Sequence, residues 1–294
     1  FYMSAYENFA RDLERLMAAY EHVNLSPMGG AAVATTSFPI SRERVCELRG
    51  FDHLLVNSMD ACSALDFAYE PACAMSIFIN NVGRVAESLL LWNLNEVGIS
   101  RLALPYCSYS TIMPQKRNPW NSEHVKSLWK AFDPRVMTFF MDQISEHQRD
   151  LSNSASQRFV ADYLAGFTMA VARMKKVVSG LQADHTNMAR NLADAGGKVR
   201  GGVLAEPAYI LLAEAGVSDG HEVIRKITLE AEETGASFYE VLTKHTDAYA
   251  KIPAQLEKLG VEDPAGFFAH PERYRGLAAE KAKTLAEKYS RLMG

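Results

Sequence analysis

The sequence predicts an all-α protein, built as a bundle of long helices with a smaller helical domain at its C-terminal end. Three long stretches carry apolar residues at intervals of three and four, the spacing that places them on one face of an α-helix. The alternation of apolar and polar residues that marks a half-buried strand is almost absent. Long helices with one apolar face need partners, so the pattern also favours association between chains.

The elements follow in order along the first part of the chain. Apolar residues recur at helical spacing from Tyr2 onward, so the chain opens as if within a helix, and we expect an upstream part to be missing. The only strand candidate covers residues 31–38 and ends at Pro39. The three long helices are then predicted over residues 68–89, 120–144 and 160–181.

Glycine pairs at residues 196–197 and 201–202 mark a loop after the long helices. No strand pattern precedes them and no Gly-Lys-Ser/Thr follows, so a turn is a better interpretation than a phosphate-binding loop. Shorter helices are predicted over residues 205–215, 221–233 and 275–292. The predicted domains are a central bundle over residues 1–190, with a functional loop at about 100–118, and a C-terminal helical domain over residues 191–294. An N-terminal domain is expected to be absent from this chain.

Composition excludes several classes of partner. The net charge of -4 and the pI near 6.1 give no electrostatic basis for binding nucleic acid. The apolar stretches are too short to cross a membrane. The chain has 4 cysteines without C-x-x-C or Cys/His ligand spacing, so neither a zinc site nor a disulfide framework is predicted. Reduced, buried cysteines indicate a cytoplasmic protein.

Residues 110–119 (STIMPQKRNP) bring a hydroxyl, an ammonium and an amide close together in the sequence. Residues 102–109 before them have no apolar period and are predicted to form a loop. Asn118 suits an N-cap and Pro119 the first helical position, so a helix is expected to begin at Pro119. A helix start favours an anionic ligand, and Lys116 adds a formal charge beside it. On local physics alone, a plain surface loop before a capped helix is an equally simple interpretation.

This string closely resembles the signature of the aspartase/fumarase superfamily, usually Gly-Ser-Ser-x-Met-Pro-x-Lys-x-Asn-Pro. Tyr109 stands where the family has Gly, and Thr111 replaces the second Ser. The Gly gives the loop freedom to close over substrate, a freedom that Tyr lacks at positive φ. Other segments resemble argininosuccinate lyase: SPMGGAA at 26–32, TSFPISRE at 36–43 and NSMDA at 57–61. Four other parts of the chain resemble adenylosuccinate lyase: EHQRDLSNS at 146–154, Arg158, residues 205–206 and residues 221–222.

The resemblance implies a fold of the fumarase/aspartase type, a homotetramer, and active sites shared between three subunits. Members release fumarate from a succinyl-substituted amine without a metal or organic cofactor, so neither is expected here, and the expected partner is a small dicarboxylate-containing substrate. The family's general acid is a His in a Thr-His element. No Thr-His pair occurs in this sequence, and we expect it upstream of Phe1.

The resemblance also assigns roles to residues of the signature. Ser110 aligns with the family's catalytic base, and Lys116 is the cation expected to stabilise the alkoxide and the substrate anion. Glu123 matches the acidic residue that orients the family's His. Three further residues of the string are expected to contact substrate: Thr111, Met113 and Asn118.

Three residues further along are candidates for the substrate's leaving-group end: Arg149, Ser154 and Arg158. If residues 152–158 were helical, Ser154 and Arg158 would share one face, and an arginine can grip a carboxylate or phosphate through two hydrogen bonds. A pair of solvated arginines is the alternative. His147, Ser152 and Ala155 replace residues that argininosuccinate lyases use, while Asn153 and Ala155 depart from the adenylosuccinate pattern.

The resulting hypothesis is a lyase that releases fumarate from an N-succinyl-type substrate by anti β-elimination, argininosuccinate lyase-like and of the amidine-lyase type. Adenylosuccinate or another succinyl amine remains open as the substrate. A cycloisomerase acting on a carboxymuconate shares the signature. A catalytically idle family member is the alternative from another class, although an idle scaffold would not need Ser110, Lys116, Asn118 and Glu123 together.

Overall fold

The computed structural model describes residues 1–144, 153–195, 197–264 and 266–292. The chain divides into two compact units. The first, here called the bundle unit, comprises residues 1–94 and 100–182, and the second, the C-terminal unit, comprises residues 95–99 and 183–294. The division at residue 182 lies earlier in the chain than the boundary at 190 that the sequence suggested.

The bundle unit consists almost entirely of helices, as predicted for an all-α long-helix fold. Its helices are α1 (Tyr2–Val23), α2 (Arg42–Arg49), α3 (Ser58–Ser63), α4 (Asp66–Trp92), α5 (Trp120–Phe132), α6 (Val136–Met141) and α7 (Val160–Ser179). Six short strands form three two-stranded pairs: β1 (Leu25–Ser26) with β2 (His53–Leu54), β3 (Ser100–Leu102) with β6 (Leu181–Ala183), and β4 (Ser108–Tyr109) with β5 (Arg117–Asn118).

Helix α4 lies at the centre of the bundle unit and packs against α1, α5 and α7. The C-terminal half of its apolar stripe is buried in one core cluster with Val125 of α5 and Val177 of α7. Helices α5 and α7 approach closely at Gly166, where a Cβ atom would lie 2.3 Å from Cδ1 of Phe132. A glycine is therefore required at this crossing by space rather than by backbone conformation.

A polar network ties α4 to the end of α5. The Asn80 amide donates to the Asp133 carboxylate at 2.9 Å and accepts from Trp129 Nε1 at 3.0 Å. Ser76 also donates its hydroxyl to Asp133. Each partner in this network is satisfied by another, which limits the cost of placing polar groups between packed helices.

Two local predictions are wrong. The helix expected over residues 120–144 is interrupted, because α5 ends at Phe132 and a 3₁₀ turn (Asp133–Arg135) separates it from α6. Pro134 lies in that turn, and a proline cannot supply the N–H that a continuous α-helix needs.

The strand expected over residues 31–38 is a turn. Ala31, Val33 and Thr35 have φ of 51°, 62° and 60°, which an extended strand excludes. Contacts with α3 hold this conformation: the Ser58 hydroxyl donates to the Val33 carbonyl at 2.7 Å, and the Cys62 thiol donates to the Ala31 carbonyl. Tertiary contacts have overridden the local apolar pattern.

The C-terminal unit is also helical and has its own core. Its helices are α8 (His185–Ala193), α9 (Ala205–Glu214), α10 (Gly220–Thr234), α11 (Phe238–Lys244), α12 (Thr246–Tyr249), α13 (Ile252–Lys258) and α14 (Ala278–Leu292). Leu204, Leu212, Ile227 and Phe238 are fully buried together. Across the described ranges of both units, no helix is long and apolar enough to traverse a bilayer.

Candidate active site

The signature segment forms a β-hairpin with an open tip. Strands β4 and β5 are antiparallel, with Ser108 opposite Asn118 and Tyr109 opposite Arg117. Residues 110–116 form the tip, here called the signature loop. The Lys116 N–H donates to the Met113 carbonyl at 3.0 Å and closes a turn within it.

Ser110 begins the signature loop, and its hydroxyl oxygen faces backbone donors. Oγ accepts hydrogen bonds from the N–H groups of Ile112 at 3.3 Å and Met113 at 3.1 Å. Donors directed at an oxygen favour its ionised form. The local backbone therefore already supplies part of the stabilisation that a serine alkoxide requires.

The other signature residues are open to solvent on this chain. Thr111, Lys116 and Glu123 are exposed, and Met113 is 42% exposed. Tyr109, which replaces the family's glycine, is 63% exposed and lies in β4 rather than in the flexible tip. The described part of this chain therefore does not cover these predicted site residues.

Helix α5 begins one residue later than predicted. Pro119 occupies the N-cap, the helix starts at Trp120, and the N–H groups of Ser122 and Glu123 donate to the Pro119 carbonyl at 2.9 and 3.2 Å. The prediction that Asn118 caps the helix is wrong, because pairing with Ser108 in the hairpin holds Asn118 in β5. The first turn of α5, with Glu123 in it, still directs backbone N–H groups toward the signature loop's side of the bundle.

The predicted leaving-group residues lie at the other end of the bundle unit. Ser154 and Arg158 are both exposed, and Ser156–Phe159 is a 3₁₀ turn. The expectation that Ser154 and Arg158 share one face of an α-helix is therefore wrong, since a 3₁₀ turn has a different period. Arg149 lies outside the described residues.

Helix α7 separates the two halves of the predicted site. The base of the signature loop lies at its C-terminal end, where the Ala103 N–H donates to the Gly180 carbonyl at 2.7 Å. Ser154 precedes its N-terminal end. Since α7 has 20 residues, the two ends are about 30 Å apart. One copy of this chain therefore does not bring Ser110 and Ser154 to the same substrate.

Ser154 lines a cleft of about 850 Å³ in the bundle unit. Asn153 beside it is buried, and its side chain donates to the Asp142 carbonyl at 2.9 Å. The carboxylates of Asp60 and Asp66 also line the cleft, and none of its described lining residues is a lysine or arginine. Sequence analysis did not predict that Asp60 and Asp66 line one cleft with Ser154, although residues 57–61 resemble argininosuccinate lyase.

Two titratable groups near these regions have shifted pKa values. Burial raises the pKa of the Cys107 thiol, and the Arg117 guanidinium only partly offsets this, so the thiol stays protonated near neutral pH. At the cleft, a hydrogen bond to Glu70 raises the pKa of His22. Because the Cys107 thiol stays protonated, we do not expect thiolate chemistry beside the signature loop.

Within the described ranges, no three His, Cys, Asp or Glu side chains are grouped so as to hold a metal ion. The four cysteines are free thiols.

Two family models match the chain. One, described as "Lyase", matches residues 1–130, and another, described as "Adenylosuccinate lyase C-terminal", matches residues 145–263. Argininosuccinate lyase of Methanocaldococcus jannaschii is 33% identical over 83% of this chain and 50% of its own length. That of Bordetella avium is 32% identical over 96% of this chain and 59% of its own length. The chain therefore spans about half the length of these curated relatives.

Solved structures share the fold. The 3-carboxy-cis,cis-muconate lactonizing enzyme of Pseudomonas putida has a TM-score of 0.81 at 19% identity, with 99% of this chain and 63% of that chain covered. A fumarate lyase from Mesorhizobium sp. BNC1 has a TM-score of 0.76 at 18% identity, with 96% and 62% covered. Together with the signature hairpin and the two family models, these similarities show that the chain belongs to the aspartase/fumarase superfamily and is argininosuccinate lyase-like.

Proposed function

We propose that the protein is a carbon–nitrogen lyase that releases fumarate from an N-succinyl-type substrate, with argininosuccinate as the preferred candidate. The observation that carries this proposal is the signature hairpin. It presents Ser110 Oγ to two backbone N–H donors, with Lys116 at the end of the same loop and the start of α5 just beyond it.

The reaction that this arrangement supports is an anti elimination. Ser110, as the alkoxide, takes the proton from Cβ, and the electron pair left on carbon is delocalised into the adjacent carboxylate. That proton is weakly acidic, so Lys116 and N–H donors must stabilise the resulting dianionic carboxylate, at a few kcal/mol per well-placed donor. The Cα–Cβ double bond then forms as the Cα–N bond breaks, and the leaving nitrogen takes up a proton.

The general acid for the leaving nitrogen is proposed to be the His of an upstream Thr-His element, with Glu123 orienting it. Thr111, Met113 and Asn118 would contact the succinyl part of the substrate. Arg149, Ser154 and Arg158 would contact the leaving group.

The separation of Ser110 from Ser154 supports a site assembled from several copies of the chain. The exposed apolar side chains Leu13, Met17 and Tyr20 of α1 and Leu164 of α7 support the same conclusion. A groove of about 430 Å³ lined by apolar residues lies between these helices and α4. Burying such faces is the main driving force for obligate association, and we propose the family's homotetramer.

Charge at the cleft beside Ser154 favours one class of leaving group. Asp60 and Asp66 would attract a guanidinium or ammonium group and repel a phosphate, while the one histidine of the described lining, His22, is paired with Glu70. This favours an argininosuccinate-like substrate over adenylosuccinate. The similarity to the muconate-lactonizing enzyme makes a cycloisomerase the second candidate function. We also propose a cytoplasmic location, because the cysteines are free thiols.

The test uses the complete protein in a fumarate assay with argininosuccinate and adenylosuccinate, and in an absorbance assay for the consumption of a carboxymuconate. We expect fumarate from argininosuccinate and loss of several orders of magnitude in kcat for Ser110→Ala. Ser179→Ala, which removes an exposed hydroxyl at the end of α7, should retain full activity. If no succinyl amine yields fumarate, the proposal fails. Turnover of the carboxymuconate would then support the cycloisomerase, and no turnover of any of the three substrates would support the idle protein.

A further inference from the structure

We propose that Asn121, held by Arg173, is a positioning residue that sets where the signature loop lies for catalysis. This inference rests on the proposed function and deepens it. It concerns a residue outside the signature string, one that contacts neither Ser110 nor Lys116 in the described structure.

The signature loop has few constraints of its own. Strands β4 and β5 are only two residues long, and the side chains of residues 111–116 are exposed. The internal bonds at Ser110 and Lys116 shape the loop but do not attach it to the bundle. Its position must therefore be determined at its stem, where the chain enters and leaves the hairpin.

The Asn121 side chain joins both sides of that stem. Its Nδ2 donates to the Tyr106 carbonyl at 2.7 Å, which links the chain after the hairpin to the chain before it. Its Oδ1 accepts from Arg173 Nη1 at 2.8 Å, which links both to α7. The side chain is 4% exposed, so water competes little for these bonds.

Both partners are themselves held in place. The Arg173 guanidinium also lies over the Trp120 ring, 4.7 Å from its centre, so one arginine holds the first two residues of α5. The Tyr106 ring packs directly on Gly180, at the end of α7. The stem is therefore attached to the start of α5 and to α7.

The chemistry of the position requires a group that both donates and accepts, as the Asn121 amide does. A carbonyl can only accept and a guanidinium can only donate, so the residue between them must donate on one side and accept on the other. Aspartate would satisfy Arg173 but place a carboxylate oxygen against the Tyr106 carbonyl. Leucine, which branches at the same atom, would satisfy neither.

The consequence for the reaction follows from geometry. A displacement of about 1 Å in a catalytic group costs on the order of 100-fold in rate. Releasing the stem would misplace Ser110 and Lys116 together, while the leaving-group residues at the other end of the bundle stay where they are. We therefore expect kcat to fall and KM to rise, because Thr111, Met113 and Asn118 move with the loop.

The experiment compares Asn121→Leu with Asn80→Leu in the complete protein. Asn80 is a matched control, because its amide also bridges two partners, Asp133 and Trp129, but lies far from the loop. Both variants should lose thermal stability. Only Asn121→Leu should lower kcat, by about 100-fold, and raise KM. Arg173→Met should act in the same direction and serves if Asn121→Leu does not fold, and Arg173→Lys should retain part of the activity.

A second readout does not depend on activity. Trypsin can cut after Lys116 and Arg117, and mass spectrometry follows the cleavage rate. A released stem should raise this rate at least tenfold in Asn121→Leu, but not in Asn80→Leu. If wild-type protein releases no fumarate, the proposed function fails and the cleavage rate alone decides this inference. Equal kcat and equal cleavage rates in the two variants would overturn it.

Discussion

Gly180→Ala is expected to impair catalysis from a position outside the signature. Gly180 ends α7 with φ of -97°, a conformation that alanine adopts without strain. The obstacle is space, since a Cβ atom there would lie 2.2 Å from Cδ2 of Tyr106, whereas ordinary contact begins at 3.4 Å. The Tyr106 ring must therefore move by about 1.2 Å, or the end of α7 must move instead.

Tyr106 precedes the hairpin, so this displacement is transmitted to the signature loop. We expect an overpacking cost of about 1–3 kcal/mol in the free energy of unfolding. We also expect a fall in kcat of about 100-fold, as for a displacement of about 1 Å. The assay is steady-state fumarate release, with the unfolding free energy measured by denaturant titration.

Gly166→Ala supplies the matched control. A Cβ atom there would lie 2.3 Å from Cδ1 of Phe132, a clash of nearly the same size, in the middle of the bundle unit. It should destabilise the fold similarly and change kcat by less than threefold. If Gly180→Ala retained the kcat of Gly166→Ala at equal loss of stability, the view that the end of α7 positions the loop would be refuted.

Three further predictions test other parts of the structure. Inactive Ser110→Ala and inactive Arg158→Met should together restore measurable fumarate release once they are mixed and their subunits exchange. A site shared between copies can combine the two intact halves. No recovery would argue for a site within one chain. The ion pair of His22 with Glu70 should stabilise the fold fully below the ordinary histidine pKa of 6.5 and lose this effect as pH rises through the raised pKa. The difference in Tm between wild type and His22→Gln should therefore shrink with rising pH. It should be small at every pH, because the pair is exposed. Phe238→Ala, at a fully buried site of the C-terminal unit, should cost about 3–5 kcal/mol in unfolding free energy, and an unchanged denaturation midpoint would contradict the burial described.

The charge of the cleft beside Ser154 bears on substrate choice. Its described lining carries two carboxylates without a lysine or arginine. A substrate assay that favoured a phosphate-bearing leaving group would therefore require the cation to come from another copy of the chain or from residues outside the described ranges. Measuring the ratio of kcat/KM for argininosuccinate and adenylosuccinate decides between these leaving groups directly.

Local sequence was sufficient for most helices, whereas the chemistry of the signature stays a prediction. The apolar stripe of α4 repeats over many turns, and such a long period is hard to satisfy by anything except a helix. The string around Ser110 and Lys116 specifies residue types that few other functions need together. Helix boundaries were less certain, because the cap at Pro119 and the break at Pro134 depend on which partner each backbone group finds.

Periodicity alone determined an all-helical chain, and the resemblance of residues 110–119 to a known signature pointed to the aspartase/fumarase superfamily, with a serine and a lysine in one loop. Tertiary structure alone decided three other matters: the positive-φ turn at residues 31–35, the amide of Asn121 between Tyr106 and Arg173, and the placement of Ser110 and Ser154 at opposite ends of α7. Each depends on contacts between residues distant in sequence. A local pattern carries no information about such contacts, because the same pattern fits many partners until the helices pack.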